Sequence, residues 1–280
     1  MMRTIESGLI TRIVRGLCIK ANIELRKDIL SALRRARKKE NNPKARHVID
    51  IILKNATLAK KNMLPICQDT GMVVLYLKVG QLVRIKGDIK KAVEKGVLTA
   101  YRDGFFRKSV VRDPIIRKQT STNLPPIVYT QIVPGNRIDI RVAVKGFGCE
   151  NVSRTRMFRP TDPISLIEDF IVDTVRESGP NACPPVYIGI GLGGTLDKAV
   201  SLSKEAVFRP IGTYNRKRHI ARLEKGILKK VNKLKIGPMG IGGKTTALGV
   251  SILTYSTHIA GLPVAINISC HATRDARKVI

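Results

Sequence analysis

The chain has 280 residues, 43% of them hydrophobic and none tryptophan, which is enough to bury one large core or two ordinary ones. Lys and Arg number 51 against 21 Asp and Glu, a formal net charge of +30 that brings nucleic acid, an acidic partner chain or small anionic substrates into view. No apolar run is long enough for a membrane-spanning helix, and the early Glu6 argues against a signal peptide, so the cytoplasm is the expected compartment.

The basic residues run from Arg3 to Lys278 rather than gathering in a tail, and six Phe and six Tyr make a poor stacking platform for single-stranded bases. Nucleic acid is therefore a minor reading. A solvated basic surface, or one shared with a more acidic chain, explains the charge more simply.

Residues 6–62 are expected to be helical. Ile10, Ile13, Val14 and Leu17 keep a three-to-four spacing, and Leu25, Ile29, Leu30 and Leu33 repeat it. Cys18 falls in the first of these helices, where a small core residue is its natural role. Pro43 suits the start of a third helix, with Val48, Ile51, Ile52 and Leu53 as its buried stripe. The polar segment that follows ends in Leu64-Pro65-Ile66-Cys67-Gln68-Asp69-Thr70-Gly71, and residues 73–79 form a buried strand.

Residues 88–102 suit a helix closed by Gly104, and Pro125-Pro126 introduces a strand over 127–133. Pro134-Gly135-Asn136 then predicts a hairpin turn into Ile138, Ile140, Val142 and Val144, whose alternation is the strongest antiparallel signal in the chain. That strand ends in Lys145-Gly146-Phe147-Gly148-Cys149-Glu150-Asn151, where two glycines permit close approach to a ligand, or a simple bulge.

A helix from Ile164 stops at Ser178-Gly179-Pro180-Asn181, and Ala182-Cys183-Pro184-Pro185 leads into a short strand over 186–190. Gly191-Leu192-Gly193-Gly194-Thr195 opens a helix over 196–207, an anion-binding arrangement that lacks the full Gly-x-Gly-x-x-Gly fingerprint. A basic helix over 213–233 precedes a glycine-rich stretch ending Gly243-Lys244-Thr245. This imitates a phosphate-binding loop but places Pro238 where the first glycine is required. Strands are expected over 250–254 and 262–268, the second leading to Cys270-His271. With no repeat or low-complexity linker, residues 1–280 are read as a single α+β domain: a helical lead-in over 1–62 and a core of sheet and packed helices over 63–280.

Five cysteines without a Cys-x-x-Cys pair fit neither a disulfide framework nor a zinc ribbon. Cys67, Cys183 and Cys270 share a context, since each sits where a predicted strand meets a loop. Three such thiols suit zinc or an iron–sulfur cluster, and a cubane held by three would keep one iron open as a Lewis acid. A buried structural thiol is the plain alternative for each.

Cys67-Gln68-Asp69-Thr70-Gly71 resembles the signature of the class I (iron–sulfur) fumarate hydratases and the related L-tartrate dehydratases. Further matches follow in order: Arg107-Lys108-Ser109-Val110-Val111, the Lys-Gly-x-Gly-x-Glu-Asn run at 145–151, Asn-x-Cys-Pro-Pro at 181–185 and Gly-x-Gly-Gly-Thr-x-Asp at 191–197. Gly-Pro-Met-Gly-x-Gly-Gly at 237–243, the segment around His258 and Cys270-His271-Ala272 complete the series. The resemblance implies a 4Fe–4S cluster on Cys67, Cys183 and Cys270, and a small dicarboxylate substrate held by Gln68, Arg107 and the Gly148 backbone. It places Asp69 and His258 at the substrate hydroxyl and leaves His271 structural. Cys149 stands where the family commonly has serine.

Single-chain relatives carry a second domain with the general base, so this chain is expected to be the α subunit of an α2β2 enzyme, active only with its β subunit. The expected reaction is reversible hydration of fumarate to malate, a tricarboxylic acid cycle step. L(+)-tartrate dehydration is the close alternative, and nucleic-acid binding is the distant one.

Overall fold

The computed structural model of the chain describes residues 2–280. In order, the elements are β1 (Arg3–Glu6), α1 (Ser7–Ile23), α2 (Lys27–Lys39), α3 (Pro43–Asn62), β2 (Met72–Gly80), β3 (Val83–Lys86), α4 (Ile89–Asp103), β4 (Ile127–Val133) and β5 (Ile138–Lys145). They continue with α5 (Phe147–Glu150), β6 (Arg154–Phe158), α6 (Ile164–Ser178), β7 (Val186–Leu192), α7 (Leu196–Ala206), α8 (Arg218–Lys233), β8 (Ala247–Thr254), β9 (Leu262–Ser269) and β10 (Arg274–Val279). This is an α+β chain. Among the described residues no helix is long and apolar enough to cross a membrane.

The span read from sequence as one domain contains two compact units. Met1–Leu25, Asn55–Phe147 and Arg274–Ile280 form the first; Arg26–Lys54 and Gly148–Thr273 form the second. The three N-terminal helices are thus shared out rather than forming a separate lead-in, and the chain changes unit within α3.

In the first unit a four-stranded sheet has the order β10-β5-β2-β4, and β1 pairs with β3 in a separate two-stranded ribbon. Val73, Leu75, Leu77 and Val79 of β2 and Ile138, Ile140, Val142 and Val144 of β5 share a core with α1 and α4. Asp88 caps α4 by accepting the Lys91 N–H at 3.0 Å. The predicted hairpin is corrected here. β4 and β5 do not pair with each other; β2 lies between them, parallel to β4 and antiparallel to β5. The apolar β2 takes the central position and satisfies a neighbour on each side. The turn over 134–137 wraps the end of β2 instead, with Leu82 N–H donating to Gly135 O at 2.9 Å. A β-carbon on Gly80 would stand 2.4 Å from Gly135 O, so only glycine permits this crossing.

In the second unit the sheet order is β6-β9-β7-β8, with β7 parallel to β8 and antiparallel to β9. Ile188 and Ile190 face a core shared with Ile167 and Ile171 of α6 and Ile227 and Val231 of α8. The opposite face of β7 is stripped to glycine for α7: a β-carbon on Gly191 would lie 2.0 Å from Ala199 O, and one on Gly189 2.1 Å from Ser203 O.

Candidate active site

The Cys67–Gly71 loop belongs to the first unit and is tied down along its length. Ile66 is buried; its N–H donates to Asn22 O at 2.9 Å, and its carbonyl accepts from Asn55 Nδ2 at 2.9 Å. Cys67 follows half-buried, Gln68 is exposed and Asp69 is half-buried. Asp69 Oδ1 accepts the Gly71 N–H at 2.9 Å and Oδ2 the Phe147 N–H at 2.8 Å, so both carboxylate oxygens are oriented by backbone amides. Gly71 has φ +63°, and a β-carbon there would meet Lys145 O at 2.6 Å, which only glycine avoids.

Thr70 is buried and joins this loop to the Arg107 segment. Its hydroxyl donates to Arg107 O at 2.5 Å, while Tyr101 Oη donates to Thr70 O at 2.5 Å. Asn123 makes a second bridge, accepting the Ser109 N–H at 2.8 Å and donating from Nδ2 to Gly71 O at 3.2 Å. The structure therefore brings Cys67, Gln68, Asp69 and the Arg107 backbone together, and leaves the Arg107 side chain exposed.

In the second unit Cys183 and Cys270 lie at one end of the sheet. Cys183 precedes β7, Cys270 follows β9, and Tyr187 is paired with Ser269. Cys183 has left-handed backbone angles, φ 49° and ψ 62°, uncommon outside glycine. Hydrogen bonds hold it there. Its N–H donates to Pro180 O at 2.9 Å, His271 Nδ1 lies 2.9 Å from its carbonyl oxygen, and the Met239 N–H donates to Pro184 O at 2.8 Å. Because a carbonyl only accepts, His271 carries its proton on Nδ1. Gly148 joins the same end: Cys149 Sγ donates to Ala182 O at 3.4 Å, directly before Cys183.

The glycine-rich loop over 237–243 packs on this segment, where a β-carbon on Gly240 would lie 2.5 Å from Pro180 Cβ. It is anchored by Glu40, which is 1% exposed and accepts the Lys244 N–H at 2.7 Å and the Asn41 and Asn42 N–H groups at 3.0 Å.

His258 is not brought to this end. It sits in the exposed loop between β8 and β9, with Nδ1 accepting the Ala260 N–H at 3.2 Å and Thr257 Oγ1 donating to Gly194 O at 3.1 Å. Cys270 follows the last residue of β9, whereas His258 precedes its first. A strand of this length separates them by roughly 20 Å.

None of the five cysteines forms a disulfide. Cys18 is fully buried in α1 and desolvation pushes its thiol up to about 12, which removes it as a ligand or nucleophile. Cys67, Cys183 and Cys270 are the three half-exposed thiols, a donor set whose chemistry suits an iron–sulfur cluster. Among the described residues no group of three or more His, Cys, Asp or Glu is arranged to hold a metal ion, and Cys67 lies in a different unit from the other two.

Asn22, Glu40 and Asn123, the buried groups that hold these loops, carry no motif in the sequence. Asn22 alone has a local signal, a polar residue four positions after Cys18 on the otherwise apolar buried face of α1.

Comparison with known proteins supplies the remaining finding. The family model described as Fumarate hydratase (Fumerase) matches residues 11–279. A Methanocaldococcus jannaschii protein named Putative L(+)-tartrate dehydratase subunit alpha is 38% identical over 279 residues, covering 97% of each chain. The L(+)-tartrate dehydratase subunit alpha of Escherichia coli strain K12 is 26% identical over 268 residues, covering 95% of this chain and 88% of its own.

Proposed function

The chain belongs to the fumarate hydratase family, and from that premise we propose that it is the α subunit of an iron–sulfur hydro-lyase acting on fumarate and malate. The observation that carries the reading is the Cys67–Gly71 loop, where a half-exposed thiol, an exposed amide and a backbone-oriented carboxylate stand in consecutive positions.

Cys67, Cys183 and Cys270 would hold a 4Fe–4S cluster, which when bound supplies a Lewis acid for the substrate hydroxyl. Gln68 and the Arg107 guanidinium offer planar donors for a substrate carboxylate, and the Gly148 N–H offers a third donor. Asp69, held by two amides, accepts a hydrogen bond from the substrate hydroxyl; it takes a proton from the water that adds and returns one to the hydroxyl that leaves, so that the group departs as water. Elimination breaks the C–O bond at the hydroxyl carbon, and the proton leaves the adjacent carbon to a base. That base is assigned to a β subunit, in keeping with relatives named α subunits, and the assembly is taken as α2β2. Since His258 stands at the far end of the sheet from Cys270, its proton-handling role requires the histidine of a second copy.

A second reading, dehydration of L(+)-tartrate, is favoured by the names of the relatives. Its substrate differs from malate by one hydroxyl and needs the same donors. The test is anaerobic co-expression with a β-type chain of the same family, reconstitution with iron and sulfide, and assay of malate and L(+)-tartrate side by side. Malate turnover tenfold or more above tartrate supports the first reading, and the reverse ratio selects the second. Loss of turnover in Asp69→Asn, by about 100-fold, is expected with either substrate. An iron-free chain after reconstitution rejects both.

A further inference from the structure

The first unit buries one arginine that no part of the proposed reaction uses. Arg274 opens β10 and is 5% exposed. Its Nη1 donates to Asn22 Oδ1 over a long 3.4 Å, and its Nε has no hydrogen-bond partner among the described residues. A guanidinium keeps its charge at every accessible pH and carries five donors in a rigid plane. Removing it from water is costly unless an anion or hydrogen bonds compensate. A cation this poorly satisfied by its immediate neighbours points to a task.

Its two neighbours, Asn22 and Gly146, each lead to one segment, Ile66 to Asp69. On the first side is Asn22, whose side chain takes the Arg274 hydrogen bond and whose backbone carbonyl takes the Ile66 N–H at 2.9 Å. Asn22 is fixed in turn by donation from Nδ2 to Cys18 O at 3.0 Å. On the second side is Gly146. A β-carbon there would lie 3.0 Å from Asp69 Oδ2 and 3.2 Å from Arg274 Nη2, so carboxylate and guanidinium face the same bare α-carbon. Asp69 Oδ2 is the oxygen that also accepts the Phe147 N–H, from the residue after Gly146.

We propose that Arg274 is the positioning residue of the Cys67–Asp69 segment. Its charge attracts the Asp69 carboxylate across Gly146, and its bond through Asn22 fixes Ile66, immediately before Cys67. The glycine at position 146 is required because any side chain would come between the two charges. The proposal deepens the hydro-lyase reading above and rests on the roles given there to Cys67 and Asp69.

The test uses the full chain with Arg274→Met, which keeps the apolar stem without charge, and Arg274→Lys, which keeps charge without the fork. One readout is the maleimide alkylation rate of each cysteine in the metal-free chain, followed by peptide mass spectrometry. The other is kcat and KM for malate and L(+)-tartrate after reconstitution with the β-type chain. Arg274→Met is expected to speed alkylation of Cys67 by about fivefold or more while leaving Cys183 and Cys270 unchanged. It should lower kcat by about 100-fold with KM within about threefold, as displacement of a catalytic group by an ångström does. Arg274→Lys should recover most of both losses.

Unchanged Cys67 reactivity and kcat in Arg274→Met would overturn the proposal. So would a lysine variant no better than the methionine one, because charge would then play no part. If Arg274→Met does not fold, Gly146→Ala keeps the charge, inserts a methyl group between the two, and is held to the same outcomes. A wild-type pair without turnover on either substrate rejects the hydro-lyase reading, and the alkylation arm then decides the Arg274 proposal by itself.

Discussion

At the scale of single residues, burial sorts five identical side chains into different chemistries. Cys18 sits among Ile13, Val14 and Leu17 with its thiol held protonated, while Cys67, Cys183 and Cys270 keep part of their surface in water. Only a thiolate attacks an alkylating reagent or binds a metal, so Cys18 should be inert. Alkylation at pH 8 is expected to label Cys67, Cys183 and Cys270 within minutes and Cys18 only on unfolding. The same shift has a pH consequence. The folded chain holds the Cys18 proton up to about 12, whereas an unfolded thiol loses it near the ordinary value of about 8.5. Between these values the unfolded state binds fewer protons, so stability falls as pH rises. Melting temperature should decline between pH 8 and 10, and less steeply in Cys18→Ala, whose starting stability is lower because of the cavity. An equal slope in the variant would remove Cys18 as the cause.

At the scale of elements, α8 is tied to its surroundings through one buried carboxylate. Glu224 is 0% exposed and accepts the Ile252 N–H of β8 at 2.8 Å, the Asn215 N–H at 2.9 Å and a short charged bond from Arg209. These bonds fix the loop that precedes α8 and the strand beneath it. Removing one partner of a buried pair leaves the other charge uncompensated, so Glu224→Ala should cost about 3–5 kcal/mol in urea unfolding. Glu224→Gln, which retains an acceptor, should cost distinctly less. Equal losses would mean that side-chain packing, rather than the hydrogen-bonded charge, holds α8. The periodic segments α1, α4 and α7 and the strands β2, β4 and β9 follow from local pattern. The short β1, β3, β6 and β10 do not, because polar or exposed strands carry little periodicity. Pairing was less legible still. Turn chemistry at Pro134-Gly135-Asn136 marked a reversal correctly, but β2, far away in sequence, took the position between β4 and β5.

At the scale of the whole molecule, the net charge of +30 is carried mainly on exposed side chains. Like charges repel across the folded surface and are screened over about 10 Å at 0.1 M salt. Raising sodium chloride from about 10 mM to 0.5 M should therefore raise the melting temperature by several degrees. A flat or falling response would show that local ion pairs, such as the bidentate Arg37–Asp50 and Arg277–Asp139, outweigh the general repulsion.

The sequence by itself determined the family, the α+β class, the order of motifs and the three thiols singled out, because these depend on residue type and local periodicity. Tertiary structure alone decided which groups hold those motifs. Asn22, Glu40 and Asn123 bond to segments dozens to hundreds of residues away, so no local pattern marks them. It also decided that His258 and Cys270, only a strand apart in sequence, stand at opposite ends of that strand. An extended chain converts short sequence separation into distance, whereas antiparallel pairing of β7 and β9 brings residues 183 and 270 to one end.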